Sequence, residues 1–92
     1  MTKATKTVKI SNVRGLHARA TAEFVKLADS FSCEIFVSNP DNLKVSGKSI
    51  MGLLMLGAPL GTSLVIEADG EGAEKAVQSL AALVDNKFGE EV

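Results

Sequence analysis

Arg14-Gly15-Leu16-His17-Ala18-Arg19-Ala20-Thr21 is the stretch where one hydrophobic period gives way to another. Before it, Val8 and Ile10 alternate with Thr7, Lys9 and Ser11, the two-residue period of a half-buried strand. After it, apolar residues recur at Ala20, Phe24, Leu27, Ala28 and Phe31, which is helical spacing. The strand breaks at Ser11-Asn12, and the spacing predicts a helix from about Ala18 to Ser30, with Lys26 and Asp29 off its stripe. Gly15 gives the connection backbone freedom. His17, the one histidine of the chain, falls at or just before the first helical turn.

Strand periodicity returns downstream. Cys33, Ile35 and Val37 alternate with Glu34, Phe36 and Ser38, leaving Phe36 on the face opposite the core set. Asn39-Pro40-Asp41-Asn42 has turn chemistry, so Leu43 to Ser46 returns as a third strand and closes a hairpin. Leu64, Ile66 and Ala68 alternate with Val65, Glu67 and Asp69 in a fourth. Gly70-Glu71-Gly72 then turns into a last helix. Its stripe is Ala73, Ala76, Val77, Leu80, Leu83 and Val84, with Gly89 as its stop and an acidic tail beyond.

A shorter helix is expected between the third and fourth strands. Ser49 is a good N-cap for Ile50 to Leu56, although Gly52 weakens the segment. That segment is apolar all round. A buried strand or a fully packed helix would read the same way. If it is a surface helix, Leu53 and Leu56 face the core and Ile50, Met51 and Leu54 lie nearer solvent. Gly57 to Gly61 is a loop. Helices interleaved with antiparallel strands argue for a two-layer α+β sandwich, with residues 1–92 forming one domain.

Composition narrows the setting. The chain is 46% hydrophobic with a net charge of −1, a globular balance. No apolar run approaches the ~20 residues that span a bilayer, and Met1-Thr2-Lys3-Ala4-Thr5-Lys6 lacks the apolar core of a signal peptide. The single Cys33 has no internal disulfide partner and packs as a small hydrophobe. A cytoplasmic, reducing compartment is the expectation. Lys3, Lys6, Lys9, Arg14, Arg19 and Lys26 fall early, whereas Glu67, Asp69, Glu71, Glu74, Asp85, Glu90 and Glu91 gather late. Two solvated faces explain such runs; the functional reading is a basic surface around His17 that steers acidic partners. Nucleic acid is not expected as a ligand, since Trp and Tyr are absent and the basic residues form no dense stripe.

The chemistry converges on His17. Gly15-Leu16-His17-Ala18 offers no Ser, Thr, Asp or Asn to cap the helix. Its free N–H groups, at Ala18 and Arg19 first, are then open to an anion. An imidazole beside an anion site suggests a nucleophile that takes up a phosphoryl group, and Arg19 offers a donor fork to phosphate oxygens. A lone histidine at a helix start is also an ordinary capping or surface residue. Gly47-Lys48-Ser49 mimics the end of a phosphate-binding P-loop, but that pattern needs a glycine at position 42, which is Asn42. Nucleotide binding is rejected. No metal is expected either, because one histidine without neighbouring carboxylate or thiol ligands builds no site.

Gly15-Leu16-His17-Ala18-Arg19 followed by an apolar helix resembles the active-site signature of HPr, the histidine-containing phosphocarrier of the bacterial phosphotransferase system. Lys48-Ser49-Ile50-Met51-Gly52 leading into Leu53-Leu54-Met55-Leu56-Gly57 is a second matching stretch, and Gly61-Thr62-Ser63-Leu64-Val65-Ile66 resembles the family's last strand. The resemblance covers nearly the whole chain. One departure is Ala20, where the family usually has proline; it points toward the nitrogen-regulatory branch or a proteobacterial HPr serving regulation.

The resemblance implies an open-faced sandwich of order βαββαβα, with a four-stranded antiparallel sheet and three helices on one face. It implies a carrier and not an enzyme. His17 would accept a phosphoryl group from phosphorylated enzyme I and pass it to an enzyme IIA-type protein, in sugar uptake or nitrogen-branch regulation. Arg19 and the Ala18 amide would bind the phosphate. Ala22, Lys26, Ile50, Met51 and Leu54 would dock partners, and the protein would be a monomer without a cofactor. In part of the family the serine matching Ser49 is phosphorylated by HPr kinase/phosphorylase. The rival reading is a non-catalytic interaction module controlled at Ser49, with His17 incidental.

Overall fold

The computed structural model describes residues 2–92; Met1, which opens the stretch read above for a signal peptide, lies outside them. The strands are β1 (Lys3–Lys9), β2 (Glu34–Ser38), β3 (Lys44–Ser46) and β4 (Ser63–Asp69), and the helices are α1 (Ala18–Ala28), α2 (Ile50–Met55) and α3 (Ala73–Asp85). All strand pairs are antiparallel, in the order β1-β4-β2-β3. The expected βαββαβα sandwich is the fold observed.

Register explains which residues form the core. Val8 stands opposite Leu64, Val37 opposite Ile66 and Ile35 opposite Ala68. Each pair shares a face because side chains alternate along a strand. All six are buried, together with Ala20, Phe24 and Ala28 of α1 and Ala73, Ala76, Val77, Leu80, Ala81 and Val84 of α3. α3 lies over β1 and β4, α1 packs beside it, and α2 sits between α1 and β3. The opposite face of the sheet is open, and there Lys44 Nζ rests 5.0 Å from the Phe36 ring centroid. Among the described residues no helix is long and apolar enough to cross a membrane.

Several boundaries differ from the sequence reading. β1 starts at Lys3, well before Val8. Its polar residues hide it from a hydrophobic pattern, but they bond to β4 along the full register from Lys3–Asp69 to Lys9–Ser63. β3 begins at Lys44 and not Leu43, and α1 closes at Ala28. The last helix stops at Asp85, capped by Asn86, and not at Gly89. A 3-10 turn, Lys87–Gly89, follows. In it Lys87 and Phe88 take left-handed φ values of 58° and 55°. That conformation is unfavourable for such residues; here it folds Phe88 back into the core.

Candidate functional site

Residues 10–17 form a tight loop between β1 and α1. Asn12, fully buried, donates from Nδ2 to the Gly15 carbonyl at 2.8 Å. The Gly15 N–H returns a bond to the Asn12 carbonyl at 3.1 Å, and the Leu16 N–H donates to the Ala58 carbonyl at 2.9 Å. Gly15 has a φ of +69°, and a Cβ there would stand 2.7 Å from the Ala58 oxygen. The loop after α2 thus clamps the loop before α1 and fixes where His17 emerges.

His17 is the N-cap of α1, with extended backbone. The expectation of an uncapped helix needs correcting. Nδ1 of the imidazole accepts from the Arg19 N–H at 3.3 Å, the role that Ser or Asp fills elsewhere. The first bond of the helical ladder runs from the Thr21 N–H to the His17 carbonyl at 2.8 Å. The amides of Ala18, Arg19 and Ala20 therefore precede the ladder. One of them is turned to the ring, over a bond long enough to be re-aimed. The remaining helix tip still favours negative charge.

The second ring nitrogen decides the chemistry. His17 Nε2 is bonded to Glu90 Oε2. Glu90 also accepts from Asn12 Nδ2 at its other oxygen, at 3.0 Å. The ring is partly exposed, with 17% of its side-chain surface open, so it is not sealed in the interior. Burial would raise the Glu90 carboxyl, but the bonds from His17 and Asn12 and the charge of Arg14 outweigh it and hold the group below its ordinary value. With Nε2 donating to a carboxylate, Nδ1 keeps its lone pair. A neutral imidazole held this way is a nucleophile with one defined attacking atom.

Glu90 is the residue that sequence reasoning missed. The sequence alone predicts no carboxylate near His17 and a separate face for the late acidic residues; the structure corrects both by bringing Glu90 to the ring. The 3-10 turn reverses the chain, and the Val13 N–H holds the tail by donating to the Val92 carbonyl at 2.7 Å. Arg14 and Arg19 line a cleft with Glu90, Glu91 and Val92. The surface there is mixed in charge and not simply basic. No periodic signal links residue 90 to residue 17, since their proximity depends on two left-handed residues at a chain reversal. Among the described residues no group of three His, Cys, Asp or Glu side chains stands close enough to hold a metal.

The other candidate residues separate by element. Ser49 caps α2, its Oγ accepting from the Gly52 N–H at 3.0 Å. Ile50, Met51 and Leu54 are exposed while Leu53 and Leu56 are buried, as expected, and Met55 adds a further exposed side chain. Ala18, Arg19, Ala22 and Lys26 are exposed on α1. Lys26 lines a groove with Glu23, Leu27, Ser30 and, from α3, Leu83.

Comparison with known proteins matches residues 4–86 to the family described as the PTS HPr component phosphorylation site. The phosphocarrier protein HPr of Neisseria meningitidis serogroup A is 43% identical, over 90% of this chain and 92% of its own. The phosphocarrier protein NPr of Shewanella violacea is 40% identical, over 98% of both. The crystal structure of HPr-C-His from Thermoanaerobacter tengcongensis superposes with a TM-score of 0.89 at 43% identity, over the full length of both chains.

Proposed function

The chain belongs to the HPr family of phosphocarriers, and from that premise we propose that His17 takes a phosphoryl group from phosphorylated enzyme I and delivers it to an enzyme IIA-type protein. The observation that carries this reading is the division of labour on the ring. Glu90 engages Nε2, and Nδ1 faces the α1 tip. Attack forms a bond from Nδ1 to phosphorus as the donor's N–P bond breaks, its electron pair staying on the donor. The Arg19 N–H then moves from Nδ1 to a phosphoryl oxygen, joined by the Ala18 amide and the Arg19 guanidinium. Such donors are charge-assisted once the phosphate is present. They hold the group without a covalent trap, so it can leave to the next histidine.

Docking in this reading uses Ala22 and the exposed α2 residues Ile50, Met51 and Leu54, with Lys26 at the outer margin. Methionine suits a surface that meets more than one partner. The protein works as a cytoplasmic monomer without a cofactor, in either the sugar or the nitrogen branch. A second reading is favoured by Ser49. Its hydroxyl opens the helix that carries the apolar patch, so a phosphate added there by a kinase would sit beside Ile50 and Met51. It would favour the helix start and repel acidic partners.

One labelling experiment tests both readings. With phosphoenolpyruvate and enzyme I, acid-labile phosphate is expected on His17, and a His17→Ala variant takes none. With ATP and the serine kinase, acid-stable phosphate is expected on the wild type and not on Ser49→Ala. Undiminished labelling of His17→Ala would overturn the carrier role. Retained partner affinity with no labelling of the wild type would favour the interaction module.

A further inference from the structure

We infer that Glu90 is a positioning residue that keeps the proton on His17 Nε2 while Nδ1 accepts and releases the phosphoryl group. The inference rests on the carrier reading of His17 and adds a residue to it. Three contacts support it. Glu90 Oε2 bonds Nε2, Glu90 Oε1 accepts from the buried Asn12 amide, and Asn12 in turn grips the Gly15 carbonyl two residues before the histidine. Both amide hydrogens of Asn12 are thereby directed to acceptors, while its Oδ1 has no partner among the described residues. The carboxylate is therefore aimed and does not wander. The left-handed turn at Lys87–Phe88, anchored by buried Phe88, carries it there.

The chemical consequence follows from charge. When neutral imidazole attacks through Nδ1, the ring becomes a phosphoimidazolium whose positive charge resides largely at Nε2–H. If that proton leaves, the ring becomes a neutral phosphoimidazole, a poorer leaving group, and the N–P bond strengthens. A carboxylate fixed on Nε2–H opposes that loss through both its charge and its hydrogen bond. The other charged groups in the cleft that Glu90 lines are Arg14, Arg19 and Glu91. The two arginines disfavour a cationic ring, and Glu91 favours it without contacting it. Glu90 is the group that bonds the proton itself. No proton crosses to or from the protein during transfer; it stays between Nε2 and Glu90 as the phosphoryl group arrives and departs.

The test uses the intact chain, labelled with phosphoenolpyruvate and enzyme I, in wild type, Glu90→Gln and Glu90→Ala. Phosphorus and nitrogen NMR follow the phosphorylated ring across pH. The midpoint for proton loss from Nε2 is expected to fall by about one pH unit in Glu90→Ala, the scale of one adjacent charge. Glu90→Gln, which keeps an acceptor but not the charge, should fall in between. Hydrolysis of the phosphoprotein near pH 8 should slow in the same order. A change of packing alone would move neither the midpoint nor this ranking. Variants that label normally but titrate and hydrolyse like the wild type would overturn the inference and leave the carrier reading standing. A wild type that takes no label on His17 would overturn both.

Discussion

An added Cβ at Gly15 would meet the Ala58 oxygen at 2.7 Å and Pro59 Cα at 2.9 Å, at a φ of +69°. Both neighbours are backbone and neither can swing aside. Gly15→Ala is expected to lower stability by at least ~1–2 kcal/mol, the left-handed cost alone, and to shift the emergence of His17. Chemical denaturation gives the first effect, and the rate of His17 labelling the second. A variant as stable as the wild type would show that the clamp between the two loops is dispensable. Ala20 belongs to the same scale. It is wholly buried as the third residue of α1, in the first turn, where proline is tolerated because the amide precedes the ladder. Its small side chain fits the core without the fixed φ of proline. The need for glycine at position 15 and the two-residue offset from His17 to Arg19 were legible in the chain. The ring's own role as the cap was not, because histidine is an uncommon cap and its use depends on a local rotamer.

α2 shows what an element can hide. Its sequence, apolar on every side, is ambiguous between core and surface, and burial separates Leu53 and Leu56 from a face made of Ile50, Met51, Leu54 and Met55. Met51, 71% exposed, has no packing role that would hold it there. Met51→Glu should therefore leave folding stability within ~0.5 kcal/mol, as at ordinary surface positions. It should weaken binding to enzyme I about tenfold, roughly 1.4 kcal/mol. Calorimetric titration against enzyme I with a parallel melting curve separates the two. Unchanged affinity would remove α2 from the docking surface. The edge strand β1 is the converse case. Its first half has little apolar content, and only the partner strand β4 reveals that it is a strand.

Across the whole molecule, the 3-10 turn brings residue 90 onto residue 17, and this link couples the site to pH. The Glu90 carboxyl lies below its reference value of 4.5 in the folded protein. A depressed carboxylate binds its proton more readily when unfolded, so its stabilising contribution is present above that value. It is lost as pH falls through the folded-state value. Wild type should therefore be more stable than Glu90→Gln at pH 7, and the gap should close as pH drops well below 4.5, measured by urea unfolding at each pH. A gap that persists in acid would mean that the carboxylate charge is not what holds the tail.

Hydrophobic periods, turn residues and one motif were enough to determine the element order, most of the core and the histidine with its flanking arginine. Those signals are local, since a residue's period reflects the element it belongs to. Left to the tertiary structure were the identity of the cap, the choice between a surface helix and a buried segment for α2, and the arrival of Glu90 at the ring. Each depends on contacts between segments far apart in the chain, and the last on two residues held in a conformation their side chains disfavour. Burial of Phe88 offsets that cost, and it exists only once the sheet and helices have closed around it.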